Sequence, residues 1–164
     1  MLKRFVLVAI CLIVLSGCAK KPSPTGGTVM SSGEIAFFYA PGWVIEKEDG
    51  YWRFEHPSAT AWGVVQVIDD QNQTDGVVEF LERELDKRWG GYSVVNQEDV
   101  DIQGRSVRRI RYRLNYYMKP FSACGMYYGG PEGTVVVVTY VMSDQEWAIQ
   151  KDMDNFMKGI AFKK

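Results

Sequence analysis

The stretch Ser106–Met118, SVRRIRYRLNYYM, alternates apolar and polar side chains over enough residues to make one long strand. Ile110, Tyr112 and Leu114 project to one face of such a strand, and the arginines between them project to the other face. A strand with one apolar face and one charged face is typical of an antiparallel sheet that is covered on its apolar side. This stretch therefore predicts a sheet-based domain with a buried and a basic surface.

Shorter strand patterns flank this stretch on both sides. The strongest local signal is Asp49-Gly50, because Asp-Gly between two alternating segments is typical of a tight hairpin turn. The last hairpin turns around a glycine-rich segment, residues 129–133. The other predicted strands are Ile35–Tyr39, Trp43–Lys47, Tyr51–Glu55, Trp62–Ile68, Tyr92–Val95, Val100–Ile102, Phe121–Tyr128 and Thr134–Met142.

Two helices are predicted from apolar residues at helical spacing. The first carries Val78, Leu81, Leu85 and Trp89 and ends at Gly90-Gly91. The second follows Ser143-Asp144-Gln145-Glu146, which has the pattern of a capping box, and carries Ile149, Met153, Phe156 and Ile160. The sequence therefore predicts an α+β fold, an antiparallel β-sheet with helices packed on its faces.

The N-terminus is basic and then apolar, and it ends in Leu15-Ser16-Gly17-Cys18. This arrangement resembles the lipobox of bacterial lipoprotein precursors. The resemblance implies cleavage before Cys18 and attachment of acyl chains to that cysteine, which would hold the protein on a lipid bilayer. Ala19 follows the cysteine, so we expect an outer-membrane or cell-surface position on the extracytoplasmic side.

The chain divides into three predicted segments. Residues 1–17 form the signal peptide, and residues 18–33 hold the lipidated cysteine and a flexible tether rich in Pro, Gly, Ser, Thr and Lys. Residues 34–164 form a single globular domain, for which a sequence that is 46% hydrophobic supplies enough apolar area.

The globular part resembles a known family. The resemblance rests on four features: an opening Phe38-Tyr39-Ala40-Pro41-Gly42-Trp43, a single middle helix, a Gly104 turn into a long strand, and a closing Gly159-Ile160-Ala161-Phe162. This pattern resembles the PsbP-like superfamily, which includes bacterial envelope lipoproteins of the DcrB type. The resemblance implies an α-β-α sandwich and a non-enzymatic role in docking onto other proteins. It implies no catalytic residues.

Composition excludes several classes of function. The chain has 19 basic and 20 acidic side chains, and loss of Lys3 and Arg4 with the signal would make it more acidic, so no nucleic-acid partner is expected. His56 is the only histidine, so a metal site built on a histidine pair is excluded. No cofactor, metal or catalytic site is predicted, and an enzyme using Cys124 and His56 is the less favoured alternative.

Two surface features are candidates for binding a partner. Arg109, Arg111 and Arg113 would form a row on one strand face, suited to an acidic protein surface, lipid headgroups or a polyanionic saccharide. The alternative is that acids such as Glu55, Asp99 and Asp101 pair with them. Tryptophans 43, 52 and 62 are the second feature; Trp52 is the candidate contact, with a core position as the alternative for all three.

These observations predict a membrane-anchored envelope lipoprotein that acts as a non-enzymatic binding or assembly module for another envelope protein. A second hypothesis is a carrier of a small apolar or lipid ligand held between sheet and helix. That hypothesis requires a cavity.

Overall fold

A computed structural model of the chain describes residues 26–32, 35–68, 74–130 and 133–162. It contains two antiparallel sheets and two helices, so the predicted α+β class is confirmed. The helices are α1 (Thr74–Trp89) and α2 (Glu146–Met157). Cys18 and the predicted signal peptide lie outside the described residues.

The larger sheet has seven strands. In chain order they are β3 (Val44–Glu48), β4 (Tyr51–Glu55), β5 (Ala61–Ile68), β6 (Tyr92–Ile102), β7 (Arg105–Tyr116), β8 (Lys119–Gly130) and β9 (Gly133–Met142). Their spatial order is β3-β4-β5-β9-β8-β7-β6, with every neighbouring pair antiparallel. The β5–β9 pairing places the two halves of the chain side by side at the centre of the sheet.

The smaller sheet joins the two ends of the domain. Its strands are β1 (Gly27–Ser32), β2 (Ile35–Tyr39) and β10 (Ile160–Phe162), in the order β1-β2-β10. β1 lies inside the segment predicted as a flexible tether, so that prediction is wrong for residues 27–32. The pairing runs from Gly27 opposite Tyr39 to Ser32 opposite Ile35, through main-chain groups that a polar sequence offers as well as an apolar one.

Each face of the larger sheet carries its own helix and its own apolar cluster. On one face, Phe54 and Val137 of the sheet pack with Phe156 of α2 and with Phe37 of the small sheet. On the other, Leu81, Leu85 and Trp89 of α1 pack against Ile110, Tyr112 and Leu114 of β7, as the alternation in that stretch predicts. The predicted helix stripes are therefore confirmed as the buried faces of α1 and α2, except that Ile160, predicted on the second stripe, is buried in β10 because the helix ends at Met157.

Three local predictions differ from the structure. The two weak strands predicted between Tyr92 and Ile102 are one continuous strand, β6, with a bulge between Val94 and Asn96. Continuous pairing with β7 holds this polar segment extended. The long strand β7 ends at Tyr116, and Tyr117 and Met118 form the turn into β8 with positive φ angles of 47° and 63°.

The third difference is the capping box, which does not form. α2 begins at Glu146 with Gln145 at its N-cap, and no side chain caps it. The Glu146 carboxylate accepts a hydrogen bond from Ser122 of β8 at 2.6 Å and lies 3.2 Å from Arg113, so these tertiary partners replace the local cap.

Gly63 on β5 is required by the packing of α2. A Cβ atom added at Gly63 would lie 2.5 Å from two carbons of the Phe156 ring, which is itself buried. We expect Gly63→Ala to lower the free energy of unfolding by about 1–3 kcal/mol, the usual cost of overpacking a core. Urea unfolding measures this change.

The matched control is Gly76→Ala in α1, where an added Cβ meets nothing within 4 Å. Alanine is the better helix former, so this variant should be neutral or stabilising by up to about 1 kcal/mol. Equal effects of the two substitutions would contradict the packing described for Phe156.

Candidate docking surface

The face of the sheet that carries α2 is only partly covered. α2 packs against β9 through Ile149, Met153 and Phe156, whereas β6 and β7 lie at the end of the sheet beyond it. Arg109, Arg111 and Arg113 are on this same face, opposite Met126, Cys124 and Ser122 of β8. The arginine row predicted from the sequence therefore exists, and it borders α2 without lying beneath it.

Two arginines of the row have carboxylate partners in the chain. Arg109 donates to Glu98 of β6 from Nε at 3.0 Å and from Nη2 at 2.7 Å. Arg113 donates to Ser122 at 2.6 Å and to Glu146 at 3.2 Å. The acids are thus Glu98 and Glu146.

The acids expected from the sequence do not pair with the row. Asp99 accepts from Arg108, which projects to the opposite face, and Asp101 accepts from the Gly104 amide. Acids therefore do pair with the row, as the alternative predicted. The acid on β6 is Glu98, one residue before the expected Asp99, and the other acid, Glu146, belongs to α2.

Arg111 differs from its two neighbours. It is half-buried at the middle of the row, and none of the described residues forms a hydrogen bond or ion pair with its guanidinium group. A guanidinium group carries five donors and stays charged, so an unpaired one at a partly covered position is available to a carboxylate or phosphate. Arg111 is the member of the row with free binding capacity.

A shallow groove runs between Arg111 and α2, with a volume of about 110 Å³. Its α2 wall carries Glu146, Gln150, Met153, Asp154 and Met157, and its β6 side carries Val95. The floor is formed by β8 and β9, at Ser122, Ala123, Cys124, Thr139 and Val141. The volume is below the 300–1,000 Å³ typical of small-molecule sites, so the groove does not favour the carrier hypothesis.

Cys124 lies in the floor of this groove, and its environment suppresses its reactivity. Burial raises the pKa of its thiol to about 11, against a smaller opposing effect of Arg111 and Arg109. Because the thiolate is the reactive form, a raised pKa makes this cysteine a poor nucleophile at neutral pH.

His56 does not pair with Cys124. Its Nδ1 lies 2.8 Å from the Ser58 hydroxyl and its Nε2 lies 3.2 Å from Asp152 of α2. Strands β5 and β9 separate β4, which His56 follows, from β8, a separation of about 14 Å at the usual strand spacing. A Cys124–His56 dyad is therefore not formed.

The three tryptophans differ in burial. Trp43 is buried and contacts Phe156 and His56 through its ring, and Trp62 stacks on Tyr140 with ring centroids 5.6 Å apart. Trp52 is half-buried, and the Lys47 ammonium group lies 5.2 Å from the centre of its ring. The core alternative is thus correct for Trp43, while a partner contact at Trp52 stays a prediction.

Some exposed apolar residues were missed by sequence reasoning. Tyr117 and Met118 at the β7–β8 turn and Trp147 in the first turn of α2 are more than 80% exposed. The turn was missed because it lacks the Gly, Asn or Asp that marks a tight hairpin. Trp147 lies outside the apolar stripe of α2, and this position was the signal that it would be exposed.

Neither a metal centre nor a membrane-spanning helix is found in the described ranges. No three or more His, Cys, Asp or Glu side chains there are grouped to hold a metal ion. The described helices are also too short or too polar to cross a membrane.

The state of Cys124 can be measured directly. With a pKa of about 11 instead of the ordinary 9.0, we expect the folded protein at pH 8 to react with a thiol reagent about 100-fold more slowly than the unfolded chain. The rate should rise as the pH approaches 11. Rapid labelling of folded protein at pH 8 would show that Cys124 is accessible and ionised, and would revive a nucleophilic role.

Comparison with known proteins identifies the fold. No protein-family model and no curated protein sequence matches the chain. Among solved structures, cyanobacterial PsbP (CyanoP) from Synechocystis sp. PCC 6803 superposes with a TM-score of 0.61 at 13% identity, covering 90% of this chain and 98% of that one.

Two further structures are similar. LpqN of Mycobacterium tuberculosis, described as involved in cell envelope biogenesis, has a TM-score of 0.56 at 12% identity and covers 85% of this chain and 91% of its own. PA94 of Pseudomonas aeruginosa, a protein of unknown function described as a putative regulator, has a TM-score of 0.56 at 11% identity, covering 82% and 94%. At these identities the likeness concerns the fold, and the chain has the fold of PsbP-like proteins.

Proposed function

We propose that this chain is a lipid-anchored protein of the bacterial cell envelope whose PsbP-like domain binds another envelope protein. Anchoring through acylated Cys18 is supported by the lipobox-like sequence. An envelope position is supported by the similarity in fold to LpqN. A binding role is carried by one observation: beside an open groove, Arg111 has no hydrogen-bond or ion-pair partner among the described residues.

The groove indicates what kind of group it binds. Glu146 and Asp154 line its α2 side, where they would repel an acidic ligand, whereas Arg111 and the exposed Val95 lie toward β6. A ligand that places a carboxylate at Arg111 and an apolar side chain against Val95 matches the charge and the apolar surface of this side, and it keeps its own charge away from Glu146 and Asp154. The ligand we propose is therefore an acidic segment of a partner protein that approaches from the β6 side.

The surroundings of Cys124 and His56 favour a binding role over catalysis. Cys124 is half-buried and its thiol has a raised pKa, and His56 is held by Ser58 and Asp152 away from it. Neither residue of the candidate dyad is placed to assist the other. Docking of a carboxylate needs a guanidinium group with free donors, and Arg111 is half-buried with no hydrogen-bond or ion-pair partner among the described residues.

Replacing Cys18 tests the anchor. We expect Cys18→Ser to move the protein from the membrane to the soluble fraction and to abolish labelling by a radioactive fatty acid, because the acyl chains lose their attachment site. Cys124→Ala is the matched control and should leave both properties unchanged. Retention of Cys18→Ser protein in the membrane fraction would contradict the proposed anchor.

Replacing Arg111 tests the docking surface. Crosslinking in the native cell identifies the proteins bound to wild-type protein, and Arg111→Glu should reduce the yield of a genuine partner at least tenfold through charge repulsion. The free energy of unfolding should change by no more than about 1 kcal/mol, since no ion pair is lost.

The control is Arg83→Glu, which makes the same charge change on an exposed position of α1, across the sheet. This variant should retain the partner. Binding should also weaken with added salt, as expected for a contact that begins with charge attraction. An equal loss with both variants would show that net charge alone governs the interaction, and would argue against the groove.

A further inference from the structure

One end of the larger sheet carries three strongly exposed apolar side chains. Met118 is 98% exposed, Tyr117 83% and Trp147 81%. Tyr117 and Met118 form the β7–β8 turn, and α2, which carries Trp147, starts at the same end, since the Ser143 amide donates to the Pro120 carbonyl at 3.0 Å. Contact with water does not favour three large apolar side chains exposed at one end of the sheet.

The backbone of the turn is also unfavourable for these residues. Both central residues have positive φ, a conformation that favours Asn-Gly in a two-residue hairpin and is uncommon for bulky side chains. Residues held in such a conformation cluster at functional sites, which makes this turn a candidate for one.

The described chain starts at this same end. Gly26 lies against Ala40 and Pro41, and a Cβ atom added at Gly26 would lie 3.3 Å from the Pro41 ring. Gly42 is similarly close to Pro57 in the β4–β5 turn. That turn continues to the β9–α2 connection, because the Met142 amide donates to Thr60 at 3.1 Å. A series of contacts thus leads along one end of the sheet from Gly26 to the β7–β8 turn.

The length of chain before Gly26 sets how far this end can be from a membrane. Eight residue steps separate Cys18 from Gly26, and a fully extended chain of that length spans at most about 29 Å. If Cys18 is acylated, the end of the sheet at Gly26 stays within that distance of the bilayer. The opposite end, with the Asp49-Gly50 turn, is a full strand length farther along the sheet.

We propose that this end of the sheet faces the bilayer and that Tyr117, Met118 and Trp147 enter its interfacial layer. The inference rests on the proposed anchoring through Cys18. Tyr and Trp suit this layer because each joins an apolar ring to a hydrogen-bonding group, and Met118 adds apolar surface. Exposed Lys119, next to the turn, suits anionic headgroups. The domain would then be held by the acyl chains and also oriented by the turn.

Depth-dependent quenching tests the orientation. Full-length lipidated protein carrying Cys124→Ala is placed in vesicles of phosphatidylethanolamine and phosphatidylglycerol, with an environment-sensitive fluorophore on Met118→Cys or, as control, on Asp49→Cys at the opposite end. We expect nitroxide-labelled lipid to quench the label at 118 at least threefold more than the label at 49. Equal quenching, or stronger quenching at 49, in protein that floats with the vesicles would overturn the orientation while leaving the anchor intact.

Flotation itself reports on the anchor. Failure of the lipidated protein to float with vesicles would refute the proposed anchoring, and with it this inference.

A second variant addresses the turn: Tyr117→Asn with Met118→Gly supplies residues that accept positive φ, so it should fold at least as stably as wild type. A label on Trp147→Cys in this background should lose at least half of its lipid quenching. Unchanged quenching would show that the turn does not enter the interface.

Discussion

The whole architecture depends on β9. Nine of its ten residues are buried, and its two edges pair with β5 and β8 along their length. Val135 and Val137 belong to the α2 side of the core, whereas Val136, Val138 and Tyr140 belong to the α1 side. One strand therefore joins both apolar clusters and both halves of the sheet, and the positions of the helices on the two faces follow from it.

Sequence patterns predicted this arrangement well wherever a buried face requires apolar residues at a regular spacing. Leu81 and Leu85 on α1, and Ile110 and Leu114 on β7, were placed correctly because each lies on a continuous apolar stripe. Patterns failed where the main chain or a tertiary partner decides. β1 forms through pairing with β2 in spite of its polar sequence, and Glu146 contacts Ser122 and Arg113 in preference to the local cap.

The arginine row shows the same limit for the functional site. Alternation in Ser106–Met118 predicts that the three arginines share a face, but it cannot predict which of them meets an acid. That depends on the register between β6 and β7, where Glu98 lies opposite Arg109 and Asn96 lies opposite Arg111. Because Asn96 is neutral, Arg111 has no ion-pair partner in the part of the chain that the structure describes. The similar folds of CyanoP and LpqN do not decide what it binds, because fold and function are separable.

The bulge in β6 has a consequence for proteins crowded on a surface. β6 ends the larger sheet and pairs, among the described strands, only with β7, so its other edge presents unpaired main-chain groups. Proteins tethered to one membrane meet repeatedly in two dimensions, which favours joining of such edges between neighbours. The irregularity at Val94–Asn96 interrupts a continuous edge, and the charged side chains along β6 make pairing with another strand unfavourable. The bulge in β6 therefore disfavours edge-to-edge pairing between neighbouring copies of the domain.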